Sequence, residues 1–159
     1  TTVIEDRVID RIKHLGADRV VNSRKEDIVK VLEEERDAGH PIDVAIDCLG
    51  GSIQGKCLQY MRYGGRWIMI ATLAGDITEV DLKKLYVLNV RLIGSTLRSK
   101  KPEFKAKLLA TLVKDVWPKI DTGEVRPTIY KVLPITEAEA AHAILERGEN
   151  VGKVVLKVR

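Results

Sequence analysis

Apolar residues follow two patterns that alternate along this chain. Short continuous runs bounded by proline, glycine or polar residues predict strands, and stretches repeating every three or four positions predict helices. The clearest run is Val44-Ala45-Ile46, between Pro41 and the pair Gly50-Gly51. It predicts a strand covered on both faces and ending at Asp47. Arg66–Ala71 and Val90–Leu97 predict two more strands, the first finishing in the turn Thr72-Leu73-Ala74-Gly75. Thr1–Ile4 and Arg19–Asn22 read as short strands ahead of them. Ile129–Leu133, between Pro127 and Pro134, and Lys153–Val158, introduced by Gly152, read as strands behind them.

Helical spacing fills the intervals. Ile4, Val8, Ile12 and Leu15 form one stripe, stopped by Gly16. Ser23 to Glu26 has the form of a capping box for a helix that buries Ile28, Val31 and Leu32, with the charge run Glu33–Asp37 as its solvated end. Ser52 is expected to cap a helix carrying Ile53, Cys57, Leu58 and Met61 on one face and ended by Gly64-Gly65. A short amphipathic segment carries Leu82, Leu85 and Leu88. Pro102 begins the longest helix, whose stripe of Phe104, Leu108, Leu109, Leu112, Val113, Val116 and Trp117 is expected in the core, up to Pro118. Thr136 and Glu139 repeat the capping-box pattern before a helix with Ala141, Ile144 and Leu145 inward. Strand, glycine turn and helix in alternation predict a doubly wound parallel α/β fold.

Ligands bind outside the carboxyl ends of the strands in such sheets. The predicted turns Asp47–Gly51, Ala71–Gly75 and Ser95–Arg98 line one crevice if their strands are parallel neighbours. Parallel strands that simply end in small-residue turns would look the same. Gly50-Gly51-x-x-x-Gly55 is a weak phosphate-loop signal, with neither the Gly-x-Gly-x-x-Gly nor the Walker lysine pattern. Asp43 and Asp47 share a strand face. Paired carboxylates can do acid/base work, but an acceptor role for Asp47 in the following loop is the favoured reading.

Composition narrows the picture without redirecting it. Aromatic residues are 4% of the 159, which leaves no base-stacking surface and argues against nucleic acid as a partner. A net charge of +4 fits an ordinary solvated surface or mild attraction for a phosphate-bearing ligand. Cys48 and Cys57 are too few and too ill-spaced for a disulfide framework or a zinc knuckle. With no apolar run near 18 residues and no secretory signal, a cytoplasmic protein without membrane spans is expected. His14, His40 and His142 have no partner spacing for a triad or a metal site.

One ordered set of motifs covers nearly the whole chain. It runs Leu15-Gly16-Ala17-Asp18-x-Val20-Val21-Asn22, then Ile46-Asp47-Cys48-Leu49-Gly50-Gly51, then Gly64-Gly65-Arg66-Trp67. Leu92-Ile93-Gly94-Ser95-Thr96-Leu97-Arg98-Ser99 and Asn150-Val151-Gly152-Lys153-Val154-Val155-Leu156 complete it. The set resembles the quinone oxidoreductases, the zinc-independent medium-chain reductases related to zeta-crystallin, and above all their p53-inducible quinone oxidoreductase-like branch.

The resemblance implies a Rossmann-like domain that binds NADPH and passes its hydride to a quinone or a related α,β-unsaturated carbonyl. It implies contacts to the adenosine end from Ser23 and Arg24, and places Leu49 and Gly50 near the nicotinamide ribose. Ala71, Thr72 and Leu73 match the loop flanking the cofactor; Ser95, Thr96 and Leu97 match the segment beside the nicotinamide. Lys153 matches a terminal cofactor contact. Residues 1–125 correspond to a partial dinucleotide-binding domain, and 126–159 to a segment returning to the catalytic domain. The family's sixth strand, here Val90–Leu97, implies a homodimer across a two-fold axis. No residue is marked as catalytic.

The departures carry weight. The N-terminal GroES-like domain and the glycine-rich turn after the first Rossmann strand have no counterpart here, so the fold is expected to be truncated at its N-terminus. Its last two strands would normally join the missing domain. Ile4-Glu5-Asp6-Arg7-Val8 replaces the family's grip on the 2′-phosphate, leaving NADH possible, and Ser23 replaces a stacking tyrosine. Without a first strand, Val20-Val21 and Val44–Ile46 lose their connection. Weak or no dinucleotide binding by these 159 residues alone is expected. The competing readings are a non-catalytic dimerisation module and another Rossmann-like binder such as a methyltransferase.

Overall fold

Parallel pairing requires a crossover between partner strands, and this chain supplies a helix at each one. The computed structural model describes all 159 residues as two compact units, Thr1–Lys100 and Lys101–Arg159. The first contains β1 (Thr2–Val3), α1 (Asp6–Ile12), β2 (Val21–Asn22), α2 (Ile28–Asp37), β3 (Ile42–Asp47), α3 (Gly51–Cys57), β4 (Met61–Met69), α4 (Leu82–Val87) and β5 (Arg91–Gly94). All its pairings are parallel, so the expected Rossmann-like α/β architecture is present.

The strands form two separate sheets, β1–β2 and β3–β4–β5. No strand links β1 to β3. A cleft of about 870 Å³ lies between them, lined by Thr1, Thr2 and Val21 on one side and Val44, Ile46 and Ile53 on the other. The core sits on one side of the larger sheet. Cys57, Leu58, Met61, Trp67 and Val90 are buried there, with Ile28 and Leu32 of α2 and Leu85 of α4 packed on them. Ala45 faces this cluster, whereas Val44 and Ile46 remain exposed. The expectation of a strand covered on both faces is therefore corrected. Strand neighbours alternate sides, and these helices cover one.

Helix starts differ from the patterns expected. Helix α2 is capped by Asp27, whose carboxylate accepts from the Val29 amide, so Ser23–Glu26 is a turn before the helix. Glu26 instead accepts from the Asn22 amide, which keeps it out of a capping box. Gly50, not Ser52, is the residue before α3. Met61 opens β4 and is not part of the preceding helix; Gly64-Gly65 falls inside that strand, at a register shift. Gly64 has φ +74°, and its amide donates to the Leu88 carbonyl.

The second unit comprises α5 (Pro102–Asp115), α6 (Trp117–Asp121), β6 (Ile129–Pro134), α7 (Ala138–Glu146) and β7 (Lys153–Lys157). Strands β6 and β7 pair in parallel, and Ala141 and Ile144 of α7 bury against Leu133, Tyr130, Val154 and Leu156. Leu145 is exposed, against expectation. So is the stripe of α5: none of its residues is buried, and Phe104, Leu109 and Val113 are about half exposed. This unit's own core is supplied by α7 on β6–β7, so the periodicity of α5 did not translate into burial. Thr136 lies in a short 3₁₀ turn and does not cap α7. No helix is long and apolar enough to cross a membrane.

Candidate functional site

The register of the larger sheet decides where its turns emerge. Asp47 lies opposite Met69, and Met69 opposite Gly94, so β3, β4 and β5 end at one level. The backbone then joins the turns directly. Ile70 donates to the Asp47 carbonyl at 2.8 Å, Leu73 to Cys48 at 3.1 Å, Ala74 to Leu49 at 2.8 Å, and Gly51 to Gly75 at 2.9 Å. The Ser95 amide donates to the Met69 carbonyl at 2.9 Å, which starts the third turn beside the second. Thus Leu49 and Gly50, Ala71 to Leu73, and Ser95 onward occupy one sheet edge.

Gly50 and Gly51 have φ +62° and +66°. A Cβ on Gly50 would stand 3.0 Å from the Gly75 carbonyl oxygen, and one on Gly51 2.9 Å from that of Ala74. The glycine pair is therefore required by the fit of the first turn against the second. Asp47 accepts from the Leu49 amide at 2.8 Å and the Gly50 amide at 3.1 Å through one oxygen, and from the Trp67 indole at 3.0 Å through the other. Leu49, Gly50 and Gly51 donate within the protein, so this turn is not a phosphate cradle. The edge offers three apolar side chains outward, Leu49, Leu73 and Leu97, which are 45%, 79% and 53% exposed, beside the exposed Ser95 and Thr96. That lining suits an uncharged ring and its ribose more than a phosphate.

Ser23 and Arg24 lie apart from these joined turns, directly after β2. The Ser23 amide and hydroxyl both donate to the Val3 carbonyl, at 2.9 and 3.1 Å. The Arg24 amide donates to the side-chain oxygen of Asn22 at 3.1 Å. Asn22 is buried, and its amide nitrogen donates to Asp6 at 2.5 Å; Lys25 binds the other Asp6 oxygen. These two donors hold the Asp6 carboxyl below its usual range. Glu5 pairs with Arg7. Lys153 opens β7 in the second unit.

Two elements of this geometry were missed in the sequence: Trp67 as the partner of Asp47, and Gly75 as the partner of Gly50 and Gly51. The sequence held little signal for the first, because Trp67 stands at the start of its predicted strand, Arg66–Ala71, and Asp47 at the end of its own. Only register shows them to be diagonal neighbours on one face. No group of three or more His, Cys, Asp or Glu side chains is placed to hold a metal ion.

A parallel Rossmann-like sheet whose three strand ends are aligned at one edge belongs to the α/β class in which ligands bind outside the carboxyl ends of the strands. Comparison narrows that class. The sequence profile described as "Zinc-binding dehydrogenase" matches residues 15–156, and the chain belongs to that family of nicotinamide-dependent, medium-chain oxidoreductases. It is 27% identical over 146 residues to an NAD-dependent alcohol dehydrogenase of Sulfolobus acidocaldarius, covering 91% of this chain and 38% of that protein. It is 28% identical over 148 residues to quinone oxidoreductase 1 of Escherichia coli, covering 89% and 43%. A mycobacterial quinone oxidoreductase structure matches with a TM-score of 0.81 at 23% identity, covering 99% of this chain and 48% of that one, a likeness of fold. The chain thus spans about two fifths of the curated relatives it matches.

Proposed function

We propose that this chain is the cofactor-binding part of an NAD(P)H-dependent oxidoreductase that delivers hydride to a quinone or another α,β-unsaturated carbonyl. Residues 1–125 then carry the dinucleotide site, and 126–159 return the chain toward the catalytic domain. The observation that carries the reading is the single sheet edge formed by three parallel strand ends in register, with their turns bonded together and apolar side chains outward. A bound nicotinamide dinucleotide supplies the hydride. The protein's part is to hold its ring and keep water away, through Leu49, Gly50, Ala71, Thr72, Leu73, Ser95, Thr96 and Leu97. Ser23 and Arg24 meet the adenosine end, and Lys153 makes a terminal contact.

The preference for quinones over alcohols follows the motif resemblance, in its zinc-independent branch, and likeness to the E. coli quinone oxidoreductase. NADPH is the favoured cofactor. NADH is accommodated because Glu5 and Asp6 follow β1, where an acidic side chain reads a ribose hydroxyl. The setting is the cytoplasm. A second reading, dimerisation, is favoured by one observation: β5 is the outer strand of its sheet and every residue in it is exposed. A homodimer through residues 90–97 is compatible with the enzyme reading, and sedimentation showing only monomer at high concentration would remove it.

The test is an NMR titration of the chain with NADPH and, separately, NADH. Shifts concentrated on the backbone amides of Leu49, Leu73 and Thr96 are expected. Binding that saturates with its shifts elsewhere, leaving those amides unmoved, refutes the reading.

A further inference from the structure

The Asp47 carboxylate is shared between two elements of this edge. One oxygen takes two consecutive turn amides, Leu49 and Gly50, and the other takes the indole N–H of Trp67 from the neighbouring strand. Trp67 cannot easily move, because it is 8% exposed and packed with Cys57, Leu58 and Met61. Its orientation therefore fixes the carboxylate, and the carboxylate fixes the turn. The turn needs fixing: Gly50 has φ +62° and ψ −139°, an extended mirror-image conformation that glycine reaches freely but that is only one of the many open to it. A glycine pair confers freedom, and an entropic cost for holding one shape. Bonds from a carboxylate to backbone N–H groups are among the stronger ones available for that task.

We propose that Asp47 is the positioning residue of this edge. Through Trp67 it locks the Cys48–Gly51 turn so that Leu49 is presented in one orientation to the nicotinamide half of the cofactor. It does so without touching the cofactor and without proton transfer. This inference rests on the cofactor reading above, and assigns a cause to the shape of the site.

The experiment uses the 159-residue chain with three substitutions, Asp47→Ala, Asp47→Asn and Trp67→Phe. Amide hydrogen exchange is read at Leu49 and Gly50, with Ile70 and Ser95 as internal controls, because their bonds go to backbone carbonyls. Asp47→Ala is expected to accelerate exchange at Leu49 and Gly50 by about tenfold while leaving both controls protected. Asp47→Asn, which keeps an acceptor oxygen, restores part of that protection, and Trp67→Phe gives a smaller loss. Reduced nicotinamide mononucleotide is then titrated as the probe. Its affinity is expected to fall in the same order as the turn protection.

Unchanged exchange at Leu49 and Gly50 in Asp47→Ala overturns the proposal. So does equal loss at Ile70 and Ser95, which would mean general loosening of the strand ends. Lost turn protection with undiminished affinity for the mononucleotide overturns it as well. Mononucleotide binding by the wild-type chain away from Leu49 refutes the cofactor reading instead, while selective loss of turn protection in Asp47→Ala still establishes Asp47 as the group that orders the turn.

Discussion

Cys57 shows what Asp47 does beyond its hydrogen bonds. The thiol is 1% exposed and is pushed up from its ordinary value of 9.0 to about 11, first by burial, then by the negative charges of Asp47 and Asp27. It stays protonated and inert where an exposed thiol would ionise. Between these two values the unfolded chain releases this proton and the folded chain keeps it. The unfolded state then binds fewer protons, so the contribution to stability falls as pH rises from 9.0 toward about 11. Urea unfolding at about pH 8.5 and about pH 10.5 should show a smaller alkaline loss in Cys57→Ala than in the wild type. Asp47→Asn should lower the thiol pKa, read by thiolate absorbance in a Cys48→Ser background. A thiol pKa unmoved by Asp47→Asn would show that Asp47 has no part in setting it. That Asp47 serves the loop was legible in the sequence from its place at a strand end. Its effect on Cys57 was not, because the two residues meet only after α3 folds over the sheet.

At the scale of elements, contact between backbones decides which small residues are irreplaceable. Gly55 lies inside α3 with nothing unusual in its conformation. A Cβ there would stand 1.7 Å from the Glu79 carbonyl oxygen, and the Gly55 amide donates to the Thr78 hydroxyl at 3.0 Å. Gly55→Ala should cost about 1–3 kcal/mol in urea unfolding by forcing residues 77–80 away from the helix. Gly94→Ala, with no atom within 4 Å of its added methyl group, should change stability by under about 0.5 kcal/mol. In the sequence Gly55 stood out only as the third member of a weak glycine pattern, and the approach of Glu79 was invisible there. The stripe of α5 is the converse. Its spacing was plain, yet spacing says which residues share a face and not whether another element of its unit covers them.

For the whole molecule, the passage from β5 to α5, residues 95–101, is exposed throughout and carries Arg98, Lys100 and Lys101. Brief trypsin treatment should cut first between residues 98 and 101 and yield two fragments that keep their own helical circular dichroism, since exposed connections are cut ahead of packed elements. First cuts inside β3 or β4 would contradict the division. The cleft between the β1–β2 and β3–β4–β5 sheets belongs to this scale too. Its existence was legible from the strand order, because the position between β1 and β3 is normally filled by a strand with no counterpart among these residues.

The order of strands and helices, the parallel pairing and the family were readable from the chain because they depend on local periodicity, glycine placement and short ordered motifs. The tertiary structure alone decided which face of β3 is covered and that Asp27 rather than Ser23 begins α2. It also decided that Gly50 and Gly51 answer to Gly75 and that Trp67 holds Asp47. The physical reason is common to all four. Burial and hydrogen bonding depend on the atoms that arrive from elsewhere in the fold, and no periodicity names them.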